Sequence, residues 1–416
     1  MEEFRKFLTE ADVKRLAAKF NCTAGFGREI YGIRAPMFQK GTDISLQIAE
    51  SVAGALASRN IAPSPDDIFA VTEAVAAKDI TQGDKGNIVS YATVAQDIRK
   101  KTGGGHIVLA NPIYSRNRMA HIIEPFASGV KELTVVMGMM EDEQGNTMID
   151  RDDFYVNHKN NIDPVRLFTK KEVEEMTGRP MVHAITGKNY GDIYESISSN
   201  VKVFYALDPA AAASRIEADA YVAGDVHTRS RTVNSLHSRD KKRNVLSLAD
   251  IMNSPVNGSG YNAEFGLLGS NKLGTLIKLF PRKEEATQML MKIIVHIRRI
   301  TGVEIKRALV FGDGAYMDPA ERIWELADPV VSPASIDLEG MPNEVKVKDR
   351  NEYYKGLGLT DEEAAAYTQY EIDNKTDNMQ NLGTTPRRLK DLIGSLADLT
   401  SGSGDKGTPI VYIRNY

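Results

Sequence analysis

The length, charge and composition of the chain exclude several classes of protein. Its 416 residues are enough for two or three domains, and shares of 42% apolar and 26% charged residues are ordinary for a globular protein. A net charge of −4 argues against a general nucleic-acid-binding protein. The single cysteine, Cys22, excludes an internal disulfide bond and a multi-cysteine metal site. Without a signal peptide or a run of 18 apolar residues, the sequence predicts a cytoplasmic enzyme or nucleotide-binding module with no membrane span.

The first hundred residues predict alternating helices and strands. Residues 1–20 have the pattern of a charged amphipathic helix. Apolar residues four positions apart predict a helix over 44–56. A turn then precedes a short buried strand at 68–71, and a further helix is expected at about 91–101.

A glycine-rich stretch at 102–105 marks a boundary, beyond which strands and helices alternate regularly. Strands are predicted at 106–109, 133–137, 201–206 and 220–223, with helices between them, as around 118–128 and 171–177. Such alternation predicts a small parallel sheet with right-handed crossover connections. We assign it to a separate unit at 103–249.

The pattern changes again from about residue 250. A turn-rich segment at 255–262 comes before a long helix at 284–301, whose apolar residues are Met289, Ile293, Val295 and Ile297. A strand is predicted at 307–311. Thr385 and Pro386 predict a helix start, and a last strand is expected at 410–413.

The segment that precedes this last strand is rich in glycine and charge. Gly402, Gly404 and Gly407 permit unusual turns and a close approach of backbone N–H groups to a ligand, while Asp405 and Lys406 add charges. The composition suits a phosphate or a nucleotide. The alternative is a flexible linker, which the buried strand directly after it makes less attractive.

Further candidate residues follow predicted strands. Asp313 lies between two glycines after a strand, where a carboxylate can hold a divalent metal ion or form a turn. Asn262 and Glu264, in the turn-rich segment 255–272, offer oxygen atoms to Mg²⁺ or Mn²⁺, unless the segment is a surface loop. Lys78 either reaches a phosphate or is solvated.

Two clusters of charged residues lie where the parallel sheet presents its carboxyl edge, the usual ligand crevice of such folds. They are Arg116 and Arg118 in the first cluster, and Asp225, His227, Arg229 and Arg231 in the second. The arginines suit a substrate carboxylate or phosphate, and Asp225 with His227 suits an acid–base pair or metal ligands. Thr385 and Arg387 at a helix start also favour an anion. Alternatively, all these residues are loop and capping residues with satisfied hydrogen bonds.

Four segments together resemble the coenzyme F420 gamma-glutamyl ligases, which add glutamate to a deazaflavin coenzyme with GTP and a divalent metal ion. The segments are 32–44, 67–78, 310–314 and 401–414. The resemblance implies an α/β (α+β) fold in which 1–102 and 250–416 form a ligase-like domain with mixed sheets. The parallel α/β domain at 103–249 splits it as an insertion.

The resemblance also implies roles for individual residues. Asp313 and Lys78 would be catalytic, and Asp313 would bind the metal ion with Asn262 and Glu264. Nucleotide contacts would come from Pro36, Met37, Phe38, Glu73, Ala74, Lys78, Gly402, Gly404, Asp405, Lys406 and Gly407. The implied cofactors are GTP or ATP with Mn²⁺ or Mg²⁺. The implied partners are small molecules, an amino acid and an acceptor carboxylate, and the implied assembly is a homodimer.

The most specific functional prediction is an amide ligase that works through an acyl phosphate. Two alternatives remain open at this point. One is a metal-dependent phosphoryl transferase or phosphatase, and the other is a nucleotide- or metabolite-binding protein without catalysis. A requirement for an amino acid would separate the ligase from both.

Overall fold

The computed structural model describes most of the chain. The described residues are 7–21, 28–38, 42–79, 87–115, 119–141, 147–149, 154, 162–184, 186–226, 228–312, 315–317, 324–326, 331–339, 345–374, 388–402 and 407–416. At 78–79, 315–317, 324–326 and 331 the description covers the backbone alone.

Helices and strands are mixed along the chain, which confirms the predicted α/β class. The helices are α1 (Glu10–Phe20), α2 (Ile44–Ser58), α3 (Glu73–Asp79), α4 (Tyr91–Thr102), α5 (Ala120–Gly129), α6 (Lys170–Thr177), α7 (Tyr190–Glu195), α8 (Pro209–Ala213), α9 (Arg229–His237), α10 (Lys283–Thr301), α11 (Val347–Gly356), α12 (Asp361–Asn374) and α13 (Leu389–Ser401). The strands are β1 (Glu29–Ile33), β2 (Ile68–Thr72), β3 (Ile88–Ser90), β4 (His106–Ala110), β5 (Glu132–Gly138), β6 (Val201–Ala206), β7 (Ala220–Ala223), β8 (Val245–Ser247), β9 (Asn271–Leu273), β10 (Leu276–Lys278), β11 (Arg307–Gly312), β12 (Ala315–Met317), β13 (Trp324–Leu326), β14 (Val331–Ile336) and β15 (Ile410–Arg414). No described helix is both long and apolar enough to cross a membrane.

Strands from both ends of the chain form one mixed sheet of five strands, in the order β1-β15-β2-β11-β14. β2 and β11 run parallel, whereas β15 is antiparallel to both of its neighbours, β1 and β2. Because side chains alternate along a strand, Phe69 and Val71 pack in the cluster that contains α2 and α10. Ile68 and Ala70 pack on the opposite face with α13. The sheet therefore lies between two layers of helices.

A second sheet of five strands has the order β6-β5-β4-β7-β8, and all its neighbouring strands are parallel. This confirms the parallel sheet that the regular alternation predicted. Ile107 and Leu109 of β4 face one buried cluster, while Val108 and Ala110 face another with α8 and α9. The strand order changes direction between β4 and β7, and ligands commonly bind at such a switch point.

A small antiparallel sheet, β3-β10-β9, lies beside the parallel sheet. Ile277 of β10 and Val89 of β3 belong to the same buried cluster as Ile107 of the parallel sheet. The cluster around the parallel sheet thus also includes residues from 89–98 and 248–279. The proposed domain boundaries at 102/103 and 249/250 stay a prediction.

Helix α12 packs against both α1 and α11. Leu16 of α1 packs against the small residues Ala365 and Ala366 of α12, which allow a close approach of the two helices. Between α11 and α12, Arg350 donates two hydrogen bonds to the Glu371 carboxylate, at 2.8 and 2.6 Å. The Tyr354 hydroxyl donates to the same carboxylate at 2.7 Å, and burial raises the pKa of Tyr354 to about 12. These helices thus enclose a buried polar network.

The structure corrects two local predictions. The predicted helix over 1–20 is interrupted at 7–9: helix α1 begins at Glu10, where Thr9 and Asp12 form a capping box, and residues 1–6 lie outside the described residues. Val295 is 49% exposed, although it was grouped with the apolar face of α10. It lies two positions from both Ile293 and Ile297, which places it on the opposite side of a helix with 3.6 residues per turn. Thr385 and Pro386 lie outside the described residues.

We expect Arg350→Leu to destabilise the helical unit strongly. The substitution leaves the buried Glu371 carboxylate without its cation, which costs about 3–5 kcal/mol of unfolding free energy. Urea denaturation followed by circular dichroism measures this loss. The matched control on the same helix is Lys355→Ala, which removes an exposed ion pair with Asp361 and should cost less than about 1 kcal/mol. Equal losses in both variants would contradict the assignment.

Candidate active site

One edge of the mixed sheet brings together the ends of four strands. β2 and β11 are parallel, with Thr72 beside Phe311, so their carboxyl ends meet. β15 runs in the opposite direction and begins at Ile410, beside Val71 of β2 and Ile33 of β1. The segments 34–38, 73–79 and 407–409 and residue 312 therefore share one edge, which we call the converging edge.

Glycines in the left-handed conformation lie at both ends of the glycine-rich segment 402–407. Gly402 has a φ of 62° and ends α13, and Gly407 has a φ of 71°. The N–H of Thr72 donates to the carbonyl of Pro409 at 3.0 Å, which fixes the exit of the segment against β2. Gly404, Asp405 and Lys406 lie outside the described residues, so their contacts with a nucleotide stay predictions.

Glu73, the first residue of α3, is buried at the converging edge with 2% of its surface exposed. Its carboxylate forms an ion pair with the ammonium group of Lys278 on β10, which is also buried. A Cβ atom on residue 312 would lie 2.1 Å from Cγ of Glu73, and a glycine at 312 avoids that clash. Gly312 directly precedes Asp313, which itself lies outside the described residues.

The other predicted nucleotide contacts differ in exposure. Phe38 is buried and packs in the core between the sheet and α2, whereas Pro36 and Met37 are exposed. Ala74 is half-buried at the start of α3. The backbone of Lys78 belongs to the same helix, and its side chain is outside the described atoms.

In the turn-rich segment 255–272, the metal-ligand candidate Asn262 takes part in internal hydrogen bonds. Oδ1 of the buried Asn262 accepts the N–H groups of Glu264 and Phe265 at 3.0 and 2.9 Å, and its Nδ2 donates to Phe280. Glu264 is exposed, and partial desolvation raises the pKa of its carboxyl group. Among the described residues there is no group of three or more histidine, cysteine, aspartate or glutamate side chains that could hold a metal ion. The metal-ligand roles of Asp313, Asn262 and Glu264 stay predictions.

The β9–β10 hairpin connects the converging edge with the parallel sheet. Asn271 of β9 pairs with Lys278 of β10, whose side chain reaches Glu73. The preceding residue, Ser270, has its hydroxyl 3.2 Å from Nε2 of His121 on α5. It also lines a small cavity with the loops that follow β4 and β7, represented by Ile113, Gly224 and Val226. The hairpin and the residue before it therefore contact both candidate ligand edges.

The loop after β7 is built around the buried carboxylate of Asp225. Its Oδ2 accepts hydrogen bonds from the hydroxyls of Thr228 and Thr232 at 2.5 and 2.8 Å. In the part of the chain that the structure describes, Oδ1 is buried without a hydrogen-bond partner. Burial raises the pKa of this carboxyl group. A Cβ on Gly224 would lie 3.1 Å from Cα of Pro112, so the glycine lets the loops after β4 and β7 approach closely.

Two of the predicted anion-binding arginines are described, both in the first turn of α9. Arg229 is half-buried and donates to the carbonyl of Val226 at 2.8 Å, and Arg231 is exposed. Arg116, Arg118, His227, Thr385 and Arg387 lie outside the described residues. The loop that leads to the first cluster is held by Tyr194, whose hydroxyl accepts the N–H of Ser115 at 3.0 Å.

Lys278 is a residue of this site that sequence reasoning missed. Its sequence signal is a single lysine within the apolar run 276–280. A lysine in a buried strand requires a partner for its charge, because an unpaired ammonium group loses its hydration. The strand itself gives no hint that the partner is Glu73, 205 residues away.

The chain matches a known protein family over most of its length. A family model described as F420-0:Gamma-glutamyl ligase matches residues 32–415. The match confirms the family that the sequence motifs indicated, and it continues through 103–249, which those motifs did not reach. No curated protein and no solved structure matches the chain.

We expect Gly312→Ala to destabilise the protein, because the new methyl group would overlap the Glu73 side chain in a packed site. Overpacking of this kind costs about 1–3 kcal/mol. The control is Gly54→Ala in α2, where nothing lies within 4 Å of the new methyl group. Relative to glycine, alanine within a helix stabilises by roughly 0.5–1 kcal/mol. Thermal unfolding should therefore shift in opposite directions, and a shift in the same direction would contradict the packing described for Glu73.

The buried carboxyl of Asp225 predicts a pH-dependent stability. Because burial raises its pKa in the folded state, the folded chain binds more protons than the unfolded chain above the usual carboxyl range, and stability falls as pH rises. Asp225→Asn removes this effect. The unfolding free energy of the variant, relative to that of the unmodified chain, should therefore be higher at about pH 7 than at about pH 4. Urea denaturation at both values measures the difference. The exposed Asp240→Asn is the control, and an equal pH dependence in both variants would refute the assignment.

Proposed function

We propose, since this chain belongs to the family of F420-0:Gamma-glutamyl ligases, that it joins an amino acid to an acceptor carboxylate through an acyl phosphate. L-glutamate is the amino acid that we expect, and the energy source is GTP or ATP with Mn²⁺ or Mg²⁺. We further expect a homodimer that acts in the cytoplasm on small molecules.

The observation that supports this proposal is the shared sheet edge. The four segments that carry the family resemblance lie far apart in the sequence, yet their described parts meet where β1, β2 and β11 end and β15 begins. Ligand crevices commonly form at the carboxyl ends of parallel strands, because loops from neighbouring strands converge there. Such an edge offers backbone N–H groups and charged side chains from several segments to one triphosphate.

The proposed chemistry has two steps. First, a carboxylate oxygen of the acceptor attacks the γ-phosphorus of the nucleotide, and the nucleoside diphosphate leaves. The amine of the amino acid then attacks the acyl carbon of the resulting acyl phosphate, which releases phosphate and a proton and forms the amide. Activation is necessary because a free carboxylate is a poor acyl donor at neutral pH. Alignment of the reacting groups and neutralisation of the phosphate charge would supply the catalysis.

We assign the nucleotide to the converging edge. Lys78, Lys406 and the N–H groups of the glycine-rich segment would bind phosphate oxygens, while Pro36 and Met37 are exposed near the same edge. Asp313 would hold the divalent ion, which supplies positive charge against the phosphates. The described side chains do not by themselves complete a metal site, so the fit of the ion depends on Asp313 and on residues outside the described ranges.

We assign the carboxylates of the acceptor or amino acid to the carboxyl edge of the parallel sheet. Arg116, Arg118, Arg229 and Arg231 would bind these groups, because a guanidinium group can donate two parallel hydrogen bonds to a carboxylate. Asp225 and His227 lie in the same loop as Arg229. The β9–β10 hairpin contacts Glu73 through Lys278 and is directly preceded by Ser270, which lines a cavity at the parallel sheet. This supports a reaction between groups bound at the two edges.

The decisive experiment compares the unmodified chain with Asp313→Asn. The reaction contains coenzyme F420-0, L-glutamate, GTP or ATP, and Mn²⁺ or Mg²⁺, and mass spectrometry follows the glutamylated product. We expect product in the unmodified chain and none in the variant, because the neutral amide loses the charge that would hold the metal ion. The melting temperature should change little. A large loss of stability with residual activity would make Asp313 a structural residue.

Omission of single components separates the ligase from other activities. The ligase requires that nucleotide hydrolysis depends on both the amino acid and the acceptor. Phosphate release without an amino acid would instead identify a phosphoryl transferase or phosphatase. Tight nucleotide binding without turnover, tested also with a metabolite extract as the source of acceptor, would identify a non-catalytic binding protein.

A further inference from the structure

Lys278 and Glu73 form a buried ion pair between two sheets. Lys278 ends β10 of the small antiparallel sheet, and Glu73 follows β2 of the mixed sheet. The side chains are 8% and 3% exposed. Since Lys278 belongs to the small sheet and Glu73 begins the helix that follows β2 of the mixed sheet, their contact connects the β9–β10 hairpin with the converging edge.

The Lys278 backbone is itself held firmly. It pairs with Ile88 of β3 on one side and Asn271 of β9 on the other. Two residues further on, the carbonyl of Phe280 accepts hydrogen bonds from the side-chain amides of Asn87 and Asn262, at 3.2 and 2.9 Å. The ammonium group of Lys278 is therefore presented from a rigid strand, and Glu73 is the side chain that it orients.

A buried ion pair of this kind adds little net free energy to the stability of the fold. Both charges lose their hydration, and an apolar pair of similar volume often stabilises a fold as well or better. What an ion pair adds is a defined position for a charged side chain. The β2–β11 ladder extends to Thr72 and Phe311, and Glu73 packs on Gly312 directly after it. The Glu73 side chain therefore contacts the backbone immediately before Asp313.

We propose that Lys278 is a positioning residue of the nucleotide site: it neutralises Glu73 and holds its side chain against Gly312, so that the strand end before Asp313 keeps the geometry that a nucleoside triphosphate requires. This inference rests on the proposed ligase function. It adds a residue from outside the four segments that carry the family resemblance. It also explains why a lysine occupies an otherwise apolar strand.

The test uses three variants of the pair in the full chain. Lys278→Met removes the cation, Lys278→Arg keeps it, and the double variant Lys278→Met with Glu73→Gln removes both charges without leaving either one alone. Thermal unfolding is measured first. Calorimetric titration with GTP and with ATP then gives nucleotide affinity, and the F420-0 assay gives kcat and KM. The control is Lys272→Met, which removes an exposed lysine from the neighbouring strand β9 and causes the same change in net charge.

We expect Lys278→Met to lose both thermal stability and nucleotide affinity, the latter by roughly tenfold or more. The double variant should recover melting temperature, because no buried charge is left unpaired, but not the nucleotide affinity or kcat. Lys278→Arg should retain most of the affinity, and Lys272→Met should behave like the unmodified chain. If the ion pair were merely structural, the double variant would recover nucleotide affinity and kcat together with melting temperature.

Three results would overturn the inference. The first is that the double variant recovers nucleotide affinity and kcat together with stability. The second is that Lys278→Met binds nucleotide as tightly as the unmodified chain. The third is that Lys272→Met loses as much nucleotide affinity as Lys278→Met. If the unmodified chain binds neither GTP nor ATP, the proposed function fails and this inference fails with it. If nucleotide binding survives in both Lys278→Met and the double variant, the inference alone is refuted.

Discussion

The insertion of the C-terminal strand between β1 and β2 is the constraint on which the candidate site depends. β15 supplies hydrogen-bond partners to both neighbours, and its register is reinforced at its far end. There the Tyr412 hydroxyl donates to Asp67 at 2.7 Å, and Arg414 pairs with Glu29 at 2.6 Å. Burial and the hydrogen bond to Asp67 raise the pKa of Tyr412. The two ends of the polypeptide thereby form parts of one sheet edge.

The two candidate ligand edges belong to different sheets, and the β9–β10 hairpin with the residue before it contacts both. Lys278 contacts Glu73 at the converging edge, and Ser270 approaches the loops of the parallel sheet. A ligase must bring an activated carboxylate and an amine together, and two candidate edges in contact with one hairpin suit this chemistry. The parallel unit is then part of the reaction site in our proposal, in agreement with a family match that continues through it.

Local sequence patterns predicted about half of the observed helices and strands, and most of those lie close to the observed bounds. β6 and β7 lie within the predicted bounds because short apolar runs flanked by turn residues define buried strands. The regular alternation also predicted the parallel pairing of the middle sheet. Helical periodicity was less reliable for single residues, as the exposure of Val295 demonstrates. Of the site, the sequence indicated candidates that follow strands, such as Glu73 and Asp225, but not which candidates meet.

The sequence by itself determined the family, through the resemblance of four segments. It also determined the mixed α/β class and the strand ends that carry charged residues, because periodicity and turn signals are local properties of the chain. Tertiary structure decided which of these ends meet and which polar groups are already used. Asn262 illustrates the difference, since its amide oxygen is a metal-ligand candidate in the sequence and a partner of two backbone N–H groups in the fold. Lys278 and Glu73 illustrate it again, because the partner of this buried charge lies 205 residues away in the sequence and is brought to it only by tertiary packing.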